Sequence, residues 1–184
     1  MGYRFIHIPK TGGSTFKVNL INAKQFFPMD HLTCYDEKDK NIVILRNPID
    51  QVISRYKSQT ETTNETFEQW FDDKAYNMQT KHLKLRLLKK DPTFKYLCPI
   101  DEKEVKEIHK ILKKFYYVML TERLSKQMPY LLKKMKIKVT EKRCNVSKKK
   151  YKPTNEEKEI IKEKCSMDFI LYNLWKKSVR TVVK

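Results

Sequence analysis

Tyr3 to Phe16 reads YRFIHIPKTGGSTF, and this run constrains the fold more than any other part of the chain. An apolar, strand-like segment ends at Pro9, and a helical pattern using Phe16, Val18, Leu20 and Ile21 begins at Ser14 or Thr15. Between them lies a turn built to hold an anion. Gly12 and Gly13 can take positive φ and let backbone N–H groups approach a ligand, Lys10 adds a cation, and Ser14 and Thr15 place hydroxyls at a helix N-terminus. One phosphate- or sulfate-sized oxyanion fits such a turn. In the nucleoside triphosphate loop, GxxxxGK[ST], lysine follows the last glycine, whereas Lys10 precedes both.

A second stretch, Asn41 to Ser58 (NIVILRNPIDQVISRYKS), repeats the order of strand, sharp stop and helix. Ile42 to Leu45 is a short continuous apolar run, the pattern of a strand buried on both faces. Asn47-Pro48 supplies an N-cap followed by proline at the first helical position. Ile49, Val52, Ile53 and Tyr56 recur at helical spacing and face a core, while Asp50, Ser54 and Lys57 share another face. Arg46 is thereby placed at the carboxyl end of a strand, where open parallel sheets bind their ligands.

These residues resemble the sulfotransferases that take a sulfuryl group from 3′-phosphoadenosine 5′-phosphosulfate (PAPS). HIPKTGGST is similar to their 5′-phosphosulfate loop, and LRNPIDQVISRY to their second motif, commonly written LRDPxxRxxSxY. Arg46 and Ser54 match that motif residue by residue; Asn47 stands where Asp is usual, a change that keeps helix capping. FEQWF from Phe67, NMQTKHL from Asn77, FYYVMLTERL from Phe115, and CNVSKKKY with a later MDFILYNLW carry the likeness over almost the whole chain. The likeness points to the carbohydrate sulfotransferases related to heparan 2-O-sulfotransferase.

The resemblance implies an α/β fold with a P-loop-like small parallel sheet flanked by helices, PAPS as donor and adenosine 3′,5′-bisphosphate (PAP) as its product. Lys10, Thr11, Gly12, Gly13, Ser14 and Thr15 would hold the 5′-phosphosulfate, and Arg46 with Ser54 the 3′-phosphate. Ser147, Lys148 and Lys149 either close over the adenosine or its 3′-phosphate, or form a solvated basic loop. Sulfuryl transfer needs a base for the acceptor hydroxyl and a cation for the charge growing on the leaving oxygen, and no metal is obligatory. Lys10 is the electrophilic candidate. His31 resembles the histidine that related 2-O-sulfotransferases present from this intermotif segment as catalytic base, with Asp30 either orienting it or serving as a turn residue. His7 reads as a core or strand-end residue, and His82 and His109 as occupants of solvated helix faces. Glu61, Glu65 and Glu68 are alternative bases, and Gln79, Lys81 and Arg86 are candidate acceptor contacts.

At 184 residues the chain is expected to form one domain, residues 1–184. Lys and Arg number 40 against 22 Asp and Glu, a formal charge of +18 that attracts nucleotides and polyanions, although any one lysine also serves to solvate a helix face. The four cysteines are widely spaced, with no zinc-type cluster. No apolar run approaches the ~18 residues of a membrane span. The expected product is therefore soluble and cytoplasmic if the chain is complete, and a Golgi-lumen domain if it is trimmed.

Further along, Phe67, Trp70 and Phe71 mark a short amphipathic helix, and Tyr76 to Lys89 a basic one. Val105, Ile108, Leu112 and Phe115 form a helical stripe, and Tyr116 to Leu120 is the third strand candidate. Leu124 to Met135 is helical in period with Pro129 inside it, and Thr154 with Glu157 is a capping-box signal before a C-terminal helix. Three functions are compatible with these features. The first is a PAPS-dependent transferase acting on a hydroxyl, with an anionic or neutral glycan as acceptor and nucleic acid disfavoured. The second is an inactive sulfotransferase-like module that binds polyanions. The third is a nucleotide kinase with a variant phosphate loop, against which the position of Lys10 counts.

Overall fold

The apolar runs become three parallel strands, β1 (Tyr3–Ile6), β2 (Lys40–Leu45) and β3 (Tyr117–Leu120), in the computed structural model. That structure describes residues 2–20, 31–61, 63, 65–74, 76–89, 91, 98–137 and 151–182. The expected site residues Ser147, Lys148 and Lys149, and Asp30 beside His31, lie outside the described residues. The strands pair in the order β1-β2-β3, with Phe5 opposite Ile42 and Ile42 opposite Tyr117.

Strand side chains alternate between faces, so a short parallel sheet needs cover on both sides. On one side Phe5, Ile42, Ile44 and Met119 pack with Phe16 and Leu20 of α1 (Gly13–Leu20) and with Met128, Leu131 and Leu132 of α6 (Leu124–Lys134). On the other, Ile6, Val43, Leu45, Val118 and Leu120 pack with Val105, Ile108 and Leu112 of α5 (Glu102–Leu112) and with Leu171 and Tyr172 of α8 (Ser166–Val182). A third cluster joins Val52, Ile53 and Tyr56 of α2 (Pro48–Gln59), Phe67, Trp70 and Phe71 of α3 (Phe67–Lys74), and Ile161 of α7 (Asn155–Lys164). The α/β architecture with a small parallel sheet flanked by helices is as the sequence predicts.

Local signals account for the element ends. Asn47 Oδ1 accepts the Ile49 N–H at 3.0 Å with Pro48 at the first helical position of α2, and complete capping boxes start α5 (Asp101 with Glu104) and α7 (Thr154 with Glu157). α6 runs through Pro129. The C-terminal helical region divides in two, since α7 ends at Lys164 and α8 starts at Ser166. The expected basic helix over 76–89 is replaced by α4 (Met78–Leu83) and a π-helical turn at Lys84–Leu88. That turn drives charged side chains inward: Lys84 is buried, donating to Pro99 O at 2.5 Å and pairing with Glu104 at 2.7 Å. Among the described residues, no helix is long and apolar enough to cross a membrane.

Candidate functional site

Because β1 and β2 are neighbours and parallel, the turn after β1 and Arg46 after β2 emerge side by side at one end of the sheet. Polar contacts from three other segments lock the turn. Thr11 Oγ1 donates to Ile8 O (2.9 Å), Gln51 Nε2 donates to Pro9 O (2.9 Å), and the Thr121 hydroxyl lies 2.6 Å from Thr11 O and 3.1 Å from Leu45 O. Arg46 Nη1 donates to Lys10 O at 2.9 Å, tying the two motifs together. Lys10 has φ 63° and Gly12 φ 92°, so the chain enters the left-handed region twice within three residues. For lysine this conformation costs on the order of 1 kcal/mol. Phe16 N–H then bonds to Gly12 O at 3.2 Å, and the N–H groups of Gly13, Ser14 and Thr15 form the first turn of α1, where backbone donors lack intrahelical partners.

Cations converge on this turn. The Lys10 ammonium is held below the ordinary lysine range by burial, then by Arg46 and Arg55, with only Glu61 opposing. The Arg46 guanidinium is likewise pushed down by burial, against the pull of Asp50 and Glu122. On α2, Gln51, Ser54 and Arg55 are spaced i, i+3, i+4 and share a flank. Since Gln51 touches Pro9 and Arg55 is within electrostatic reach of Lys10, the partly exposed Ser54 lies on the flank that borders the turn.

The backbone of Arg46 is clamped in turn. Gln79 Oε1 accepts the Arg46 N–H (2.9 Å) while its Nε2 donates to Arg46 O (2.8 Å), and Glu122 Oε1 accepts the Asn47 N–H (2.6 Å). Gln79, expected as an acceptor contact, is buried and supports Arg46 from behind. Asp168, 2 % exposed, accepts from Gln79 N (3.1 Å), Thr80 N (2.8 Å) and Thr80 Oγ1 (2.8 Å), while its own N–H donates to Asn77 Oδ1 (3.1 Å). Asp168 thus caps α4 as Asn77 caps α8.

Burial, opposed by those hydrogen bonds, raises the Asp168 carboxyl from its ordinary 3.8 to about 6. A raised carboxyl pKa means that the folded state holds the proton more tightly than the unfolded chain. Asp168 therefore contributes most to stability below pH ~4, and loses about 3 kcal/mol of that contribution as pH rises from ~4 to ~6. A carboxyl 13C titration should give Asp168 a midpoint near 6; a midpoint at or under the ordinary value refutes this.

The histidines form a second group beside the turn. His7 follows β1, and its ring lies so close over Gly13 that a Cβ there would stand 2.1 Å from Cδ2 and 2.2 Å from Nε2. His31 stacks on His7 with ring centroids 3.9 Å apart, and its Nδ1 is 3.0 Å from His7 O. A carbonyl oxygen only accepts, so Nδ1 carries the hydrogen and Nε2 is the proton-accepting nitrogen of neutral His31. Arg86, expected at the acceptor, is fully enclosed instead; its Nε donates to His31 O at 2.9 Å and its Nη1 to Asp91 O. His82 is also fully buried, which corrects the solvated-face reading: burial, then Arg86, His31 and His7, hold its pKa well below the usual histidine range. His109 is half-buried, edge-on to Trp175 at 6.1 Å, with its pKa lowered by burial and Lys113. Lys81 remains partly exposed on α4.

Sequence reasoning missed Gln51, Thr121, Glu122 and Asp168, whose roles are set by partners far along the chain. Among the described residues, no group of three or more His, Cys, Asp and Glu side chains is arranged to hold a metal ion. No protein-family model matches this chain, and no curated protein matches it.

Proposed function

We propose that the chain is a PAPS-dependent sulfotransferase acting on a hydroxyl group, with a carbohydrate as the favoured acceptor. The observation that carries this reading is the 2.9 Å hydrogen bond from Arg46 to Lys10 O, which makes one site of two anion motifs 36 residues apart in sequence. A donor with phosphate at each end of its ribose needs two such grips at a fixed separation. Arg46 and Ser54 supply one; the Lys10 ammonium, the Thr11 to Thr15 turn and the α1 N-terminus supply the other.

His31 Nε2 takes the proton of the acceptor hydroxyl, and the acceptor oxygen bonds to sulfur as the bond between sulfur and the bridging oxygen breaks. Electrons of that bond pass to the leaving phosphate, where Lys10 neutralises the growing charge. His31→Ala should lower transfer by roughly 10²- to 10⁴-fold while PAP affinity stays nearly constant. Full turnover in that variant would remove His31 from the mechanism.

The cluster of Lys10, Arg46 and Arg55 and the +18 charge also suit a non-catalytic polyanion module. Thermal shifts with PAP, ADP and heparin, each at low and high salt, separate the readings. Preference for PAP over ADP by more than about tenfold, lost in Arg46→Ala, supports the transferase. Stabilisation by heparin alone, vanishing with salt, supports the polyanion module.

A further inference from the structure

Arg46 is held by a framework whose far end lies on α8, a helix that supplies no group to the proposed reaction. Asp168 lies in the first turn of that helix. Asp168 fixes the N-terminus of α4 through Gln79 N and the Thr80 backbone and hydroxyl, and the Gln79 side chain then grips both backbone polar groups of Arg46. Both backbone polar groups of Arg46 are therefore held by the side chain of one residue whose own N–H is fixed by a carboxylate on α8. A guanidinium that must meet a phosphate in a set orientation benefits from such support, because small displacements of a binding group lose much of its effect.

We propose that Asp168 is a positioning residue for Arg46, and that α8 thereby sets how Arg46 engages the donor's 3′-phosphate; this rests on the transferase reading above. Asp168 does not meet the donor and acts through α4 and Gln79.

The test compares Asp168→Asn, and Thr80→Val, which removes the hydroxyl that donates to Asp168 Oδ1 at 2.8 Å, with Tyr151→Phe, which deletes a tyrosine hydroxyl from the Tyr151–Glu157 pair in the third cluster. Two readouts are taken at temperatures well below unfolding: the Arg46 Nε–Hε resonance in ligand-free protein, and PAP affinity by calorimetry. Asp168→Asn should move the Arg46 resonance and weaken PAP binding by about tenfold, and Thr80→Val should act in the same direction, whereas Tyr151→Phe should leave the resonance unmoved and PAP affinity within about twofold of the parent even if it costs equal stability. An unmoved Arg46 resonance in folded Asp168→Asn overturns the proposal. A moved resonance in a protein that never binds PAP keeps α8 as the support of Arg46 but sinks the donor assignment, so the two failures are distinct. Should Asp168→Asn fail to fold, Thr80→Val decides alone.

Discussion

Lys10→Gly should give a protein that is more stable than its parent and almost inactive. Lysine at φ 63° pays the left-handed penalty that glycine escapes, and its ammonium is crowded by burial, Arg46 and Arg55. Relief of the backbone is worth on the order of 1 kcal/mol, reduced by the added freedom of glycine in the unfolded chain, and removal of a like charge adds to it. On the proposed transferase reading, turnover falls because the same ammonium is the group proposed to meet the leaving oxygen. A loss of roughly 10²- to 10³-fold is the usual consequence of deleting one preorganised charge-stabilising group. Urea denaturation and initial rates with labelled PAPS measure the two effects on one preparation. A less stable variant refutes the strain argument, and undiminished turnover refutes the role of Lys10. Strain retained at a binding turn, where a looser chain would be more stable, is what a functional site predicts.

Gly13→Ala carries the second large effect, for a different reason. Its φ lies outside the left-handed region, so the backbone accepts alanine; the obstacle is His7, whose ring atoms stand 2.1 Å and 2.2 Å from the new methyl carbon. No contact that short survives, and His7 is packed between Phe5 (centroids 5.4 Å) and His31 (3.9 Å). Either the imidazole pair is displaced or α1 shifts from the sheet, at a cost of about 3 kcal/mol. Truncating the ring makes room, so the double variant His7→Ala/Gly13→Ala should recover much of what Gly13→Ala loses relative to His7→Ala. A double-variant cycle from urea unfolding tests this, and additive losses would contradict it. On the proposed transferase reading, proton transfer to His31 Nε2 should suffer with the stack, since His7 O is the partner that sets its tautomer.

Which parts of this site were legible in advance follows from the range of the interactions involved. The glycine turn, the capped helix after Arg46 and the three strands are local in origin. Glycines, an Asn-Pro step and apolar runs act within a few residues, so composition and spacing reveal them. Arg86 reads as an acceptor contact, but it lies in the π-helical turn Lys84–Leu88, out of the ordinary helical period, and is enclosed; His82, on α4 just before it, reads as solvated but is covered by packing that no local pattern reveals. Gln79 reads as a candidate acceptor contact, yet an amide that both donates and accepts is suited to close on one backbone unit, and only the fold brings Arg46 to it.

By itself, then, the amino-acid sequence determined the three strands, the capped starts of α2 and α7, that a glycine turn precedes α1, and that Arg46 ends a buried strand. The tertiary structure decided that β1 and β2 lie side by side, that Arg46 reaches Lys10 O, and that Asp168, 89 residues from Gln79, anchors the segment holding Arg46. The division has one cause: dihedral preferences and side-chain periodicity act between near neighbours, whereas a hydrogen bond between distant residues exists only once the two faces of the sheet have been covered.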